Sequence, residues 1–505
     1  MTSRRETILN QTMRKNYLGD DSADTLSRRL ARQRTAHQHR LLSYCLKSNL
    51  NNEQWTSAVN NVAPASSNAT EPVEKSECFA HLSECLMGGV IARKKITTGI
   101  NAYKMQDYKA AYQSWLAASR LCDNRELFYT LNYLISLSFD FGNFRKMLGY
   151  AVHQFQIARF LGERNLIAEA YLNLLTARGL LCNWELCLSY CKSCLNYLDV
   201  DKAGYVYMSV ACAYLELNRF SEAAGFLKLT CDACNQQKNY GLLVQALVAC
   251  SGLFFSLKSY PEAKEFATRA VELAGTIFSI NPGSARYRRC AVHLIPIQIK
   301  LRQLDEAMQL CEEAVRSALE YHDVYVQAKC LLYFADISRL RSDHEVAYQS
   351  YQASLDSGYP QLRLRALFGI GKSVLKTRPL DGNQDIAQTK ALNYYQEALE
   401  LATSLGCKLD VLRCYRRMAK LHLPTAEDSV SPLQHVQELC DQLQLFCNLC
   451  GNLCGLKRSQ LIVLGCGHIY HRKCLTENGR VNGKHYCVTC RSLSEDICES
   501  FLVLL

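Results

Sequence analysis

Eight residues near the end of the chain have the identities and spacing to hold metal. Cys447-x2-Cys450 is followed by Cys466-x-His468-x2-His471-x2-Cys474, and then by Cys487-x2-Cys490. Thiolate and imidazole are soft or borderline ligands that suit zinc, which takes four of them in a tetrahedron. A Cys-x2-Cys knuckle lets two thiolates reach one ion, and the middle run interleaves so that alternate pairs serve different ions. The spacing predicts two zinc ions in a cross-brace. Cys447, Cys450, His471 and Cys474 hold the first, and Cys466, His468, Cys487 and Cys490 hold the second. The other cysteines do not share this pattern. Cys191-x2-Cys194 and Cys231-x2-Cys234 fall in helical periodicity with no histidine beside them and read as buried packing residues, while Cys440, Cys454, His485 and Cys498 fit no ligand register. His153, His293 and His344 stand alone, without a paired nucleophile or acid, so no catalytic residue is assigned.

Composition narrows the classes that remain. A chain of 505 residues exceeds what one hydrophobic core can organise, so several domains or a solenoid are expected. No run of eighteen apolar residues exists and the first residues lack the apolar stretch of a signal peptide, which predicts synthesis in the cytosol. There the 26 cysteines stay reduced and serve as zinc ligands and packing residues, and the sequon Asn68-Ala69-Thr70 stays unmodified. The net charge is +11, and residues 1–40 hold nine Arg or Lys against four acids. No aromatic residues interleave with these cations as single-strand binders require, so the surplus reads as a solvated basic tail and not a nucleic-acid site.

The elements that must position the metal ligands come from a repeat. A large residue, a small one three later, another residue four later and a small one three later recur as Tyr108/Ala111/Trp115/Ala118, Phe144/Met147/Ala151/Gln154, Trp184/Cys187/Cys191/Cys194 and Phe220/Ala223/Leu227/Thr230. The series continues with Tyr260/Ala263/Ala267/Ala270, Leu304/Ala307/Cys311/Ala314, His344/Ala347/Tyr351/Ser354 and the shorter Ala391/Tyr395/Ala398. Steps of 36, 40 or 44 residues separate them. Such spacing puts the side chains on one helical face, where small residues admit a partner helix. Each is preceded by another apolar-periodic helix and a short polar turn, so the unit is a helical hairpin that buries its face only by stacking on neighbours.

The chain therefore divides into a disordered basic leader (1–86), a solenoid of about eight helical pairs (87–406), a helical linker (407–446), a zinc domain (447–491) and a tail (492–505). Within the leader, residues 25–46 carry leucines among arginines as a basic helix would. Pro296 falls inside a first helix and should kink or shorten it, and Thr377–Asn383 lengthens the last repeat's turn. In the linker, Val436, Leu439, Cys440, Leu443 and Phe446 form the apolar side of a short amphipathic helix that packs on the zinc domain or the last repeat.

The solenoid pattern resembles tetratricopeptide repeats, and the metal pattern resembles a RING domain with two histidines. The fold class is thus all-α, a tetratricopeptide superhelix followed by a small cross-brace RING. Ala170-Tyr171-Leu172-Asn173-Leu174, Leu188–Leu195, Cys330–Ile337 and Leu464-Gly465-Cys466-Gly467-His468-Ile469-Tyr470-His471 are similar to stretches of the rapsyn family, a resemblance covering about residues 91–492. The resemblance implies a postsynaptic scaffold that clusters nicotinic acetylcholine receptors. Such a protein lies peripherally on the cytoplasmic face of the postsynaptic membrane and self-associates through its repeats. It meets receptor cytoplasmic loops through the helix before the RING and links to dystroglycan and the cytoskeleton. Family members begin with a myristoylated glycine near the first repeat. Here Met87-Gly88 stands at that place, followed by Arg93, Lys94 and Lys95, so a shorter product would expose Gly88 beside a basic cluster.

The competing reading makes the RING a ligase for ubiquitin or a ubiquitin-like modifier, with the repeats as substrate arm. Active RINGs contact a conjugating enzyme through a hydrophobic residue in the first knuckle, a proline in the last and a cation after it. Leu449 and Arg491 supply the first and third, while the last knuckle reads Cys487-Val488-Thr489-Cys490. The chemistry would be the positioning of a thioester, with no nucleophile from this chain.

Overall fold

The computed structural model describes residues 78–198, 203–277, 285–376, 384–421, 461–476 and 484–497, with further positions between 435 and 454 and at 480–481. The expected basic helix at 25–46, the sequon and the insertion at 377–383 lie outside the described residues. Helices pair in sequence order. The first hairpins are α1 (Cys78–Lys104) with α2 (Tyr108–Ala118), α3 (Asn124–Asp140) with α4 (Phe144–Leu161), and α5 (Arg164–Leu180) with α6 (Trp184–Leu195). Then come α7 (Ala203–Glu216) with α8 (Phe220–Gln237), α9 (Tyr240–Ser256) with α10 (Tyr260–Ile277), and α11 (Ala285–Lys300) with α12 (Leu304–Glu320). The last are α13 (Val324–Leu340) with α14 (His344–Leu355) and α15 (Pro360–Val374) with α16 (Gln384–Ser404), capped by α17 (Lys408–Met418).

The seven hairpin turns among the described residues each pass through one left-handed residue. Gln106, Gly142, Cys182, Asn218, Lys258, Arg302 and Ser342 all have positive φ. In three of these turns the next residue caps the second helix: Asp107, Asn143 and Asp343 accept from the N–H of Ala110, Lys146 and Val346, whereas Asn183 makes no such bond. The recurring positions are the core. Ala111, Trp115, Ala151, Cys191, Ala223, Leu227, Ala267, Ala307, Ala347, Tyr351, Tyr395 and Ala398 are all buried. Glycines on first helices make room for aromatic rings on second helices: Gly99 faces Trp115, Gly369 faces Tyr351 and Gly371 faces Tyr395. Helix α11 runs on through Pro296 to Lys300, so the proline does not end it.

The array curls back on itself. The turn between α3 and α4 meets α13 and α15: Val324 N–H donates to the Phe141 carbonyl at 3.2 Å, and the Tyr359 hydroxyl to the Gly142 carbonyl at 2.9 Å. Arg289 donates to the Phe139 carbonyl and lies over the Phe139 ring. Buried Asp323 sits against Arg288 at 3.4 Å and Arg289 at 3.5 Å. A second seam joins the α7–α8 turn to later helices, through Gln361 to Glu216 at 2.7 Å and the Leu409 N–H to Asn218 at 2.8 Å.

The C-terminal domain follows. Strands β1 (Leu461–Val463) and β2 (Ile469–His471) pair antiparallel, Ile462 opposite Tyr470, and lead into the short helix α18 (Arg472–Thr476). Strands β3 (Arg480–Val481), β4 (Lys484–Cys487) and β5 (Ser492–Ser494) form a second antiparallel sheet, Tyr486 opposite Leu493. This domain is seated on the repeats. Leu461–Leu464, Tyr470, Leu475 and Ile497 belong to one buried cluster with Phe220, Leu227, Phe254 and Phe266. Lys228 of α8 bonds Glu495 at 2.9 Å, and Gly467 packs directly on the Ser221 backbone.

Candidate metal centre

The turns and strands bring the eight predicted ligands into two groups. Cys447, Cys450, His471 and Cys474 have ligand atoms within 4.8 Å of one another, and so do Cys466, His468, Cys487 and Cys490. The pairing is the crossed one, because β2 carries His471 away from His468 while the β1–β2 turn holds Cys466 and His468 together. Both imidazoles aim Nδ1 inward, His471 at Cys450 Sγ (3.3 Å) and His468 at Cys466 Sγ (3.4 Å). Donor atoms this close around a tetrahedral point fit zinc, whose thiolate and imidazole bonds run about 2.0–2.3 Å.

The protonation pattern suits metal capture. A hydrogen bond from the Asn452 backbone, with further donation from His471, Cys474 and Cys447, holds the Cys450 thiol down at about 6. Ser492 in the same way lowers Cys490. Burial, with the neighbouring sulfurs, pushes Cys474 up to about 12 and Cys466 to about 11. In each group one thiol thus ionises more readily than its neighbours, and the remaining protons leave as a cation enters.

A supporting shell orients these ligands, and spacing alone did not point to it. The Tyr470 hydroxyl lies 2.6 Å from Thr489 Oγ1 and 3.2 Å from Cys487 Sγ, and Asn448 donates to the same threonine oxygen at 2.7 Å. Thr489 therefore ties the last knuckle, which lacks a proline, to the first. Ser494 accepts from the Cys466 N–H at 3.1 Å. Cys454 is buried beside the first group, whose sulfurs raise its own pKa after burial does, but it is outside the group, and His485, buried on β4, belongs to neither.

The remaining candidates are dispersed. Leu449 is half-buried against the core cluster, while Arg491 is exposed in a left-handed conformation after the last knuckle, next to exposed Val488. His153 is exposed on α4, His344 opens α14 and His293 faces inward from α11. Gly88 falls within α1. His435 stacks on Tyr415 of α17, ring centroids 5.1 Å apart, which sets the linker against the last repeat. No helix among the described residues is long and apolar enough to cross a membrane.

Residues 87–165 match the family model described as the rapsyn N-terminal myristoylation and linker region, and residues 454–493 match the fungal Vps8 RING zinc finger. Among solved structures, a Rap protein complexed with competence and sporulation factor has a TM-score of 0.44 at 15% identity, covering 70% of this chain and 99% of its own. The Rap conjugation gene regulator of plasmid pLS20 has a TM-score of 0.42 at 11% identity, covering 71% and 96%. Curated relatives are more informative. The 43 kDa receptor-associated protein of the synapse from Tetronarce californica is 30% identical over 424 residues, 81% of this chain and 98% of its own length. Its counterpart from Gallus gallus is 31% identical over 420 residues, again 81% and 98%. With helical hairpins throughout, a RING behind them and relatives matched over nearly their whole length, this chain belongs to the rapsyn family.

Proposed function

We propose that the chain is a zinc-containing postsynaptic scaffold that clusters nicotinic acetylcholine receptors at the cytoplasmic face of the membrane and links them to the cytoskeleton. The observation that carries this reading is the match to almost the full length of relatives named for receptor association at the synapse. The hairpins supply surface for self-association and for dystroglycan or cytoskeletal partners, and the RING is a docking head. Two zinc ions, one per ligand group, fold that head. Lipidation of Gly88 in a product starting at Met87 would anchor it, a reading supported by the family match beginning at that methionine. Co-expression with receptor subunits in cells lacking other synaptic proteins tests the scaffold. Receptors should gather into patches containing this protein, and diffuse receptors beside well-expressed protein would overturn the reading.

A second reading, ligase activity, draws on exposed Arg491 and Val488 with half-buried Leu449 beside the knuckles. Leu449→Ala with Arg491→Ala separates the two. A pure scaffold keeps its receptor patches with this variant. A ligase loses modifier transfer in a reconstituted assay with a conjugating enzyme.

A further inference from the structure

The inner wall of the curled array carries more positive charge than the chain's own carboxylates offset. Three consecutive first helices present paired positions two turns apart: His293 and Lys300 on α11, Lys329 and Asp336 on α13, Arg365 and Lys372 on α15. Side chains seven apart share a helical face. The three helices touch in order, α11 against α13 and α13 against α15. Their charges act on one another in two levels. His293 feels Lys329 and Arg365, whereas Lys300 and Lys372 both feel Asp336 and Arg339.

The carboxylates nearby offset only part of this charge: Glu216 acts on Lys329 and, with Asp410, on Arg365, while Asp336 acts on Lys300 and Lys372. Asp336 accepts from Tyr351 at 2.6 Å and pairs with Arg339 at 3.1 Å, Asp410 pairs with Arg413 at 2.6 Å, and Glu216 on the facing helix α7 accepts from Gln361 at 2.7 Å. Lys329 and Lys372 lie over the rings of Tyr325 and Phe368. None of Lys300, Lys329, Arg365 and Lys372 has an ion pair among the described residues. Water still reaches them, since Lys300 and Arg365 are exposed and the two other lysines half-buried. The crowded wall lowers Lys300 and Lys329 by desolvation and brings Lys372 to about 8, whereas for Arg365 burial is outweighed by Tyr333, Asp410 and Glu216, which raise it, so the three lysines are the cations least compensated by the chain. A concave wall of one sign focuses its field on whatever enters.

We propose that this inner wall is a binding groove for an extended acidic polypeptide segment, one anionic side chain seated between Lys329 and Arg365 and a second between Lys300 and Lys372. The two levels are seven residues apart on each helix, roughly 10 Å at ~1.5 Å per residue. A single small anion does not span that distance. A chain in the polyproline II conformation covers it in one turn of three residues at ~3.1 Å each and returns the side chain to the same face, so the segment carries acidic or phosphorylated residues at every third position. The groove uses none of the metal ligands and stands independently of the scaffold reading.

Lysine footprinting of the full chain tests it. An oligoglutamate peptide and a phosphoserine peptide of equal length should each slow reductive methylation of Lys300, Lys329 and Lys372 several-fold, while Lys192, exposed on the outer helix α6, is unchanged. Protection by one peptide alone identifies the anion the groove prefers. In fluorescence anisotropy, Lys329→Gln with Arg365→Gln should weaken the labelled peptide at least tenfold. Three results would overturn the proposal: equal protection by inorganic phosphate, which marks a small-anion site only, protection spread evenly over all lysines, or affinity unchanged in a folded variant. Should the variant fail to fold, the footprint on the unaltered chain decides.

Discussion

Replacing Gly467 is the sharpest perturbation of the contact between the RING and the repeats. Gly467 has φ of +88°, and a Cβ built there would overlap the Ser221 carbonyl oxygen, with the carbonyl carbon at 3.0 Å and Cα at 3.4 Å. Gly467→Ala therefore carries two costs. A left-handed conformation is worth about 1–2 kcal/mol for a residue with a Cβ. Displacing helix backbone, which cannot rotate aside as a side chain can, adds about 1–3 kcal/mol of overpacking. The Lys228–Glu495 pair beside it is partly exposed and contributes at most about 1 kcal/mol, so it cannot hold the domain in place against a total of about 2–5 kcal/mol. Hydrogen exchange is expected to quicken in α8 and β5, and the melting temperature to fall, with zinc content unchanged. Gly467→Asn separates the causes, because asparagine tolerates positive φ yet keeps the Cβ. It should still lose about 1–3 kcal/mol. Exchange in α8 identical to that of the unaltered protein, or loosening accompanied by zinc loss, would refute the reasoning.

Three further outcomes follow from the same packing and charge. Gly369→Ala drives a Cβ into the buried Tyr351 ring and should destabilise by about 1–3 kcal/mol in denaturant titration, with Tyr351→Leu restoring part of the loss. Burial, followed by Lys329 and Arg365, holds His293 well below 6.5. Its imidazole stays neutral in the fold where the unfolded chain would bind a proton, so its contribution is level above 6.5 and declines as pH falls from there toward the folded value. His293→Gln should flatten that acid-side decline, read from denaturant midpoints at pH ~7.5 and ~5.5 with zinc present. Removing metal with a chelator should release two zinc ions per chain and unfold the RING, while far-ultraviolet circular dichroism of the helical array is largely kept.

The repeats were legible because burial and helical period coincide in them. Small residues three and four apart have only one way to be useful, and Ala111, Ala151, Ala223 and Ala347 are all buried between helices. The two groups of four cysteines and histidines were nameable for a related reason, since a short knuckle leaves little choice of partner. What lay beyond reach was long-range. Nothing around Gly142 points to Tyr359, nor anything around Ser221 to Gly467, because such contacts depend on how many small hairpin rotations accumulate in between. The last knuckle shows in the sequence only that it lacks a proline, and the bond from its Thr489 to Tyr470 needs the fold to be seen. Pro296 reads as a kink or an early end of its helix, and the helix is not ended there but runs on to Lys300.

The seams that close the array have a consequence for synthesis. The α3–α4 turn finds its partner at Tyr359 only after 217 further residues have been made, and Glu216 meets Gln361 after 145. At about 5–20 residues per second, the first of these waits on the order of ten to forty seconds on the ribosome. Through that interval the early hairpins stack without their closing partners, and the Phe139 and Phe144 side that later receives Arg289 and Tyr325 stays open to chaperones or to another nascent chain. Local hairpins of this kind fold quickly, while contacts of such sequence separation slow the final step. The pace of translation thus becomes a determinant of whether a chain closes on itself or on its neighbour.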